Sequence, residues 1–179
     1  MKKRVLIIHG WESNSREHWF LEEKARLEKL RHEVVVPDMP NTFHPKKEEW
    51  VKVIENFSPD ENSILIGHSL GGVAILRYLE KTDRKTLRCI LIATPIRKLR
   101  SRNYDFRPID NFFEPDFNWK KIKRNCKEFI IMNQNKDPWV PLQHGKDLAN
   151  YLSSKLIIVE GSDHFDKIDF DLLEKYVLG

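Results

Sequence analysis

The chain has 179 residues, about the length of one globular domain, so we expect a single domain over residues 1–179 with one functional site. Its 31 basic and 27 acidic residues leave a net charge of +4, which indicates a surface of mixed charge. No apolar run approaches the roughly 18 residues of a membrane span, and Cys89 and Cys126 lack the spacing of a zinc site or a disulfide framework. We therefore expect a cytoplasmic protein with no membrane partner, no metal and no cofactor.

Short apolar runs alternate along the chain with segments that carry apolar residues at helical spacing. The predicted strands are 4–8, 33–36, 63–66, 87–93, 128–132 and 156–159. The predicted helices are 17–30, 46–57, 70–80, 142–152 and 168–178. Because the strands show no polar alternation, they indicate a parallel sheet covered by helices on both faces, and the fold class is α/β.

A serine lies between two glycines where the third predicted strand meets a helix, in Gly67-His68-Ser69-Leu70-Gly71. Flanking glycines let the backbones approach closely, while the serine is forced outward at the positive end of the helix. An ordinary turn serine is the competing interpretation. In parallel sheets, ligands bind beyond the carboxyl ends of the strands, which favours Ser69 as a nucleophile.

A serine hydroxyl needs a base to become nucleophilic, and the base needs an acid that fixes its tautomer. In enzymes with this type of turn, the acid and then the histidine follow the serine, each after a later strand. Asp137 follows the fifth predicted strand and His164 the sixth, so we predict that both act with Ser69. Of the seven histidines, four precede the serine, His68 is expected to point away across the turn, and His144 lies at a helix start.

Other carboxylates compete with Asp137 for the role of the acid. Asp163 is adjacent to the predicted base, so its carboxylate cannot easily reach Nδ1 while Nε2 faces the serine. Asp110 and Asp116 lie in the long loop after the fourth strand and are weaker rivals. An Asx turn or helix cap before Pro138 is the structural alternative for Asp137 itself.

Acyl transfer also needs two N–H donors for the oxyanion that forms on the substrate. Leu70, directly after the serine, is the first predicted donor, and Trp11, in the loop after the first strand, is the second. A simple strand end is the alternative interpretation of Gly10-Trp11. Seven aromatic residues are candidates for lining an acyl pocket, although we expect most of them to be core or cover: Trp19, Phe43, Phe106, Phe112, Phe113, Trp139 and Phe165.

Residues 97–107 hold five Lys or Arg with Tyr104 and Phe106 between them, a pattern that also occurs in nucleic-acid patches. Acidic residues follow soon after, and no RNA-binding motif accompanies the segment, so we predict no nucleic-acid partner. We interpret residues 97–118 as a loop that covers the site and favours an acidic substrate.

Six motifs spread along nearly the whole chain carry a family resemblance. They are HGW with a second HW eight residues on, VVVPDMPNT, ILIGHSLGG, NWKKIKRNC, NQNKDPWVP and GSDHF. In these motifs the sequence resembles the small serine hydrolases of the retinoblastoma-binding protein nine and YdeN type, a compact branch of the α/β-hydrolase superfamily. The resemblance implies an α/β-hydrolase fold with a minimal six-stranded parallel sheet, and a catalytic triad at Ser69, Asp137 and His164.

The retinoblastoma-binding Leu-x-Cys-x-Glu motif is not found in this sequence. The nearest string, residues 87–91, lacks the glutamate and lies in a predicted buried strand. We therefore do not expect that partner.

The function expected from these residues is hydrolysis of a small-molecule carboxylic ester, or of an amide or thioester, through an acyl-serine intermediate. A non-catalytic protein-binding module that retains the hydrolase shell is the alternative. A fluorophosphonate probe distinguishes the two, because only an activated serine reacts with it quickly.

Overall fold

The computed structural model describes residues 2–179, which contain a six-stranded sheet of strand order β2-β1-β3-β4-β5-β6. The strands are β1 (Arg4–Ile8), β2 (Glu33–Val35), β3 (Ser63–His68), β4 (Thr86–Ile92), β5 (Cys126–Gln134) and β6 (Lys155–Val159). The helices are α1 (Phe20–Lys29), α2 (Lys47–Phe57), α3 (Leu70–Lys81), α4 (Trp119–Arg124), α5 (Leu142–Leu152) and α6 (Phe170–Leu178). Every strand pair is parallel, so the predicted α/β fold with a six-stranded parallel sheet is confirmed. No helix within these residues is both long and apolar enough to cross a bilayer.

Both faces of the sheet are buried, because successive residues of a strand point to opposite sides. Leu65 and Leu91 face a core formed with α2, α3, α4 and α5. Ile64 and Ile90, on the same two strands, face a second core formed with α1 and α6. This arrangement explains why the strand sequences are continuously apolar rather than alternating.

Several element boundaries differ from the sequence predictions. The helix predicted from residue 17 begins at Phe20, because residues 17–19 lie in a turn in which His18 has a φ of 54°. The fifth strand begins at Cys126, which pairs with Thr86 on β4. Two short elements were not predicted, namely α4 and a 3₁₀ helix at Arg107–Phe113, because neither is long enough to show a repeated apolar period.

The segment between β4 and α4 is held onto helix α3 by one buried side chain, Arg77. Its Nε donates to the carbonyl of Phe112 at 2.8 Å, and its Nη2 donates to the carbonyl of Pro115 at 2.5 Å. Its guanidinium also lies 3.8 Å from the ring centroid of Phe117. These contacts fix the part of the segment that leads away from the carboxyl end of the sheet.

The direction of winding reverses between the neighbouring strands β1 and β3. Gly10 follows β1 and Ser69 follows β3, and their backbones lie side by side. A Cβ added to Gly10 would lie only 3.1 Å from the Cβ of Ser69. The fold therefore opens a crevice at the position of the predicted nucleophile.

Candidate active site

Ser69 occupies a strained turn between β3 and α3. Its φ of 53° and ψ of −119° are rare for a residue with a side chain, and strain of this kind persists only where the surroundings enforce it. The backbone N–H of Ser69 donates to the carbonyl of Ile92 at 2.8 Å, which ties the turn to β4. The turn presents the half-buried serine to the cleft.

Three glycines allow helix α3 to begin directly against the sheet. A Cβ at Gly71 would overlap the carbonyl oxygen of Ile8, and a Cβ at Gly72 would overlap Oγ1 of Thr94. A Cβ at Gly67 would lie 2.5 Å from the Cα of Gly72. The glycines therefore set how closely the helix that follows the serine approaches β1 and β4.

His164 and Asp137 form a close pair across the loops that follow β6 and β5. Nδ1 of His164 lies 2.9 Å from Oδ1 and 2.8 Å from Oδ2 of Asp137. The Asp137 side chain is fully buried, and its Oδ1 also accepts the backbone N–H groups of Trp139 and Val140 at 2.9 and 2.8 Å. Since the carboxylate only accepts hydrogen bonds, these contacts assign the proton to Nδ1 and leave Nε2 free.

Ser69 and the His164 ring line the same cleft. No hydrogen bond within residues 2–179 links their side chains in this structure. Hydrogen bonds between nucleophile and base are often long in unliganded enzymes and tighten when substrate binds. The structure therefore brings His164 into contact with Asp137 and places Ser69 in the cleft beside them.

The rival acids are engaged elsewhere. Oδ1 of Asp163 accepts Nε2 of Gln134, and it also accepts the backbone N–H of Phe165 at 3.2 Å. Asp110 pairs with Arg100 on both carboxylate oxygens, at 2.9 and 2.7 Å. Asp116 is exposed. The Asx turn considered as the alternative for Asp137 is also present, because its carboxylate accepts two backbone N–H groups of the following residues. The same carboxylate also contacts His164.

The cleft has a volume of about 320 Å³, at the small end of the usual range for ligand pockets. Six side chains form its apolar wall: Trp11, Leu99, Tyr104, Phe106, Ile109 and Trp139. The ring of Tyr104 lies at the centre, with its centroid 5.4 Å from those of both Trp11 and Trp139. Four of the six residues come from the segment after β4, so this segment forms most of the apolar wall of the cleft.

Three carboxylates, Glu12, Glu17 and Asp166, also line the cleft, whereas its lining includes no Lys or Arg. The hydroxyl of Tyr104 donates to Glu12, and burial together with this carboxylate raises the pKa of Tyr104 to about 12. Among residues 2–179, no three side chains of the metal-ligating types come together.

Four of the five cations of residues 97–107 pair with acids outside the cleft: Arg97 with Asp147, Lys98 with Glu114, Arg100 with Asp110, and Arg107 with Asp105. Their charges are therefore compensated at the surface instead of being directed at the serine. The expectation that this segment favours an acidic substrate has no support in the structure. The charged side chains that line the cleft are carboxylates, which would repel a negatively charged substrate.

Both predicted oxyanion donors lie at the cleft. Leu70 is the first residue of α3, and the first N–H groups of a helix have no acceptor within it. Trp11 follows Gly10 beside Ser69, and its indole Nε1 donates to the carbonyl of Phe43 at 3.3 Å.

His68 does not point away from the site as predicted. Its ring centroid lies 4.9 Å from that of His164, and its Nε2 donates to the backbone carbonyl of His164 at 2.8 Å. Burial lowers the pKa of His68 well below its usual value. The orientation predicted for His68 was wrong. The alternation of side chains along a strand indicates which face of the sheet a ring lies on, but not which loop packs against it there.

The seven candidate aromatic residues divide between cleft and core. Phe106 and Trp139 line the cleft, whereas Phe43 is 65% exposed. The other four are buried in the two cores: Trp19, Phe112, Phe113 and Phe165. The sequence did not identify three residues of the cleft lining: Leu99, Tyr104 and Ile109. Their segment has no hydrophobic periodicity, so the aromatic residues between its basic residues were the only sequence feature that could have pointed to the cleft.

Comparison with known proteins gives concordant matches. The model of a family described as serine hydrolase matches residues 5–171. The chain is 33% identical over 168 residues to a putative hydrolase, YdeN, of Bacillus subtilis, covering 92% of this chain and 87% of that protein. It is 29% identical over 141 residues to the serine hydrolase RBBP9 of Rattus norvegicus, covering 78% of this chain and 73% of the relative. The crystal structure of the ydeN gene product from B. subtilis superposes with a TM-score of 0.90 at 28% identity, covering 99% of this chain and 100% of that one.

Proposed function

The chain belongs to the serine hydrolase family, and from this premise we propose that Ser69, His164 and Asp137 form a catalytic triad that cleaves small carboxylic esters. The observation that carries the proposal is the His164–Asp137 pair at the edge of a cleft into which a strained turn presents Ser69. A serine, an imidazole with a free Nε2 and a buried carboxylate are the groups that acyl transfer through an acyl-serine requires.

In the first half-reaction, Oγ of Ser69 attacks the ester carbonyl carbon while Nε2 of His164 takes the hydroxyl proton. The tetrahedral intermediate then collapses, the bond to the alcohol oxygen breaks, and the imidazolium protonates the departing alcohol. In the second half-reaction, His164 deprotonates a water molecule that attacks the acyl-serine. Collapse of this second intermediate releases the carboxylic acid, and the proton returns to Oγ of Ser69.

Asp137 contributes by stabilising the imidazolium that forms in both half-reactions. Its carboxylate is buried, and two backbone N–H groups fix its orientation. Held in this way, it keeps the proton on Nδ1 of His164 and leaves Nε2 free to accept the serine proton.

The oxyanion would be stabilised by the backbone N–H groups of Leu70 and Trp11. In support of this, the Leu70 amide lies at the positive end of α3, and Trp11 directly follows Gly10, which packs against Ser69. Donors that are already oriented before the reaction contribute about 3 kcal/mol each to lowering such barriers.

The substrate would be small and neutral. A volume of about 320 Å³ accommodates a short acyl group or an aryl alcohol, and the apolar wall gives it a surface to pack against. An ester of this size fits the cleft and can react with Ser69. Amides and thioesters are alternative substrates, because they form the same acyl-serine intermediate.

A fluorophosphonate probe tests the proposal directly. We expect rapid covalent labelling of the wild-type protein on the peptide that contains Ser69, and no labelling of Ser69→Ala. Ser13 also lines the cleft and is the matched control, so Ser13→Ala should label like the wild type. An unlabelled wild-type protein that is correctly folded would instead favour the non-catalytic binding module.

A further inference from the structure

The histidine of the proposed triad lies in an unusual turn. His164 and the next residue, Phe165, both have a φ of 57°, in the left-handed region that residues with side chains rarely adopt. Two such residues in succession need external contacts to hold them, since each costs on the order of 1–3 kcal/mol.

Each of these two residues has its backbone carbonyl bound by a buried ring nitrogen. Nε2 of His68 donates to the carbonyl of His164 at 2.8 Å. Nε1 of Trp19 donates to the carbonyl of Phe165 at 3.0 Å. The two donors come from different parts of the fold, the end of β3 and the residue before α1, and they bind adjacent carbonyls of one turn.

The two donor rings are fixed by their surroundings. Both His68 and Trp19 are only 3% exposed, and their ring centroids are 6.4 Å apart. The rings of His18 and Phe20 pack against His68 as well, with centroids at 5.8 and 5.9 Å. Neither donor can rotate away without disturbing this aromatic packing.

The protonation state of His68 matches its role as a donor. Its Nδ1 is buried without a hydrogen-bond partner, so a second proton on the ring would have no acceptor. The single N–H of a neutral ring therefore lies on Nε2, where it binds the carbonyl of His164.

The other side of the turn is attached to β5. Asp163 binds the amide group of Gln134, and the N–H of Asp166 closes the turn on the carbonyl of Asp163 at 3.1 Å. The turn is thus held from one side by Gln134 and from the other by His68 and Trp19.

We propose that His68 and Trp19 are positioning residues that together hold the strained turn at His164–Phe165, so that the imidazole faces Asp137 and Ser69 at once. The inference rests on the proposed triad, in which a small displacement of the base slows both proton transfers. Neither residue touches the reacting atoms in this role; both act through the backbone of His164.

Two substitutions remove one donor each and keep an aromatic ring in place: His68→Phe and Trp19→Phe. We expect each to lower kcat on a short-chain aryl ester about tenfold with KM changed less than about threefold, and the double variant to lose more than either. His68→Gln, whose amide can donate to the same carbonyl, should recover part of the loss.

Two buried rings elsewhere provide matched controls. Trp50 is fully buried, and its Nε1 donates to the carbonyl of Pro40 at 2.8 Å. His144 is buried, and its Nδ1 accepts the N–H of Ile96 at 3.1 Å. Trp50→Phe and His144→Phe remove comparable hydrogen bonds and should leave kcat within about twofold once folded protein is quantified. Equal losses in test and control variants would overturn the proposal, as would an unchanged kcat in His68→Phe and Trp19→Phe.

An NMR measurement separates this inference from the proposed function. The proton on Nδ1 of His164, shared with Asp137, should give a downfield resonance that broadens or disappears in His68→Phe and Trp19→Phe but not in the controls. If the fluorophosphonate probe failed to label Ser69 in the wild-type protein, the proposed triad would be wrong. The resonance of the Nδ1 proton would still show whether His68 and Trp19 hold the turn. A sharp, unshifted resonance in both variants would overturn the positioning role.

Discussion

Asp137 contacts Nδ1 of His164 through both carboxylate oxygens, at 2.9 and 2.8 Å, although 27 residues separate the two along the chain. This geometry arises because the loops after β5 and β6 meet at one edge of the sheet, where these two neighbouring strands end. The same edge carries Asp163, directly adjacent to His164 in sequence and yet hydrogen-bonded to Gln134.

Asp137→Asn should therefore lower activity far more than Asp163→Asn. An asparagine at 137 can favour the wrong tautomer of the imidazole, and in a serine protease triad such a change costs about ten-thousandfold in kcat. Asp163→Asn keeps a side chain that can still bond to Gln134, so its kcat/KM should stay within about tenfold of wild type, or ~1.4 kcal/mol in barrier. Both variants would be matched by circular dichroism and assayed on one short-chain aryl ester. An inactive Asp163→Asn beside an active Asp137→Asn would move the acid to the loop after β6.

The glycines after the serine give a prediction about the nucleophile turn. A Cβ at Gly71 would overlap the backbone of Ile8, whereas a Cβ at Gly72 would overlap the side chain of Thr94. Both Gly71→Ala and Gly72→Ala should lower the free energy of unfolding by about 1–3 kcal/mol or more.

Only the second of these clashes can be relieved by a side-chain change. Thr94→Ala should recover part of the stability of Gly72→Ala and none of that of Gly71→Ala. Urea unfolding of the two double variants measures the difference as a coupling energy. Equal recovery in both would contradict the close approach of α3 to β1.

The sequence predicted the inner strands well, because β1, β3, β4 and β5 are largely buried on both faces and therefore contain continuous apolar runs. The loops at the carboxyl edge could be ordered along the chain, which identified Asp137 and His164 as a pair that the structure brings together. The contact between His68 and the turn at residues 164–165 was not predictable, because it depends on two positive φ angles with no glycine to signal them. The apolar wall contributed by Leu99 and Ile109 was missed for a similar reason, since that segment has no period from which to infer an orientation.

The buried carboxyl group of Glu23, on helix α1, should make the stability of the protein depend on pH. This effect does not involve the active site. The residue is fully buried, and neither of its carboxylate oxygens has a hydrogen-bond partner. Burial, together with the nearby charge of Glu174, raises its pKa from 4.5 to about 7. The folded protein therefore retains the proton at pH values where the unfolded chain has lost it.

The contribution of Glu23 to stability is fully present below about pH 4.5 and is lost as pH rises to about 7, by up to about 3 kcal/mol in unfolding free energy. Glu23→Gln removes the ionisation and should raise stability at pH 8 by much of that amount, with little effect at pH 4.5. Glu22→Gln, at an exposed neighbouring position, is the control and should show no such dependence. Urea midpoints at the two pH values would decide the question, and a pH-independent gain would exclude ionisation as the cause.

The charge of the cleft predicts which esters are cleaved well. Glu12, Glu17 and Asp166 line it together with an apolar wall, and no Lys or Arg of the lining opposes them. A substrate that carries its own carboxylate would approach against this negative potential, whereas a neutral ester of equal size would not. We expect kcat/KM for p-nitrophenyl hemisuccinate to be at least about tenfold below that for p-nitrophenyl butyrate at low ionic strength.

Salt and one substitution distinguish charge from shape as the cause of this preference. Interactions at an open cleft are screened within about 10 Å at 0.1 M salt, so the ratio between the two esters should shrink as the salt concentration rises. Glu17→Gln should narrow the ratio further, because it removes one carboxylate and keeps the volume of the side chain. Lys52→Gln, on helix α2 and outside the cleft lining, serves as the control and should leave the ratio unchanged. A ratio that ignores both salt and Glu17→Gln would mean that the cleft selects its substrates by shape alone.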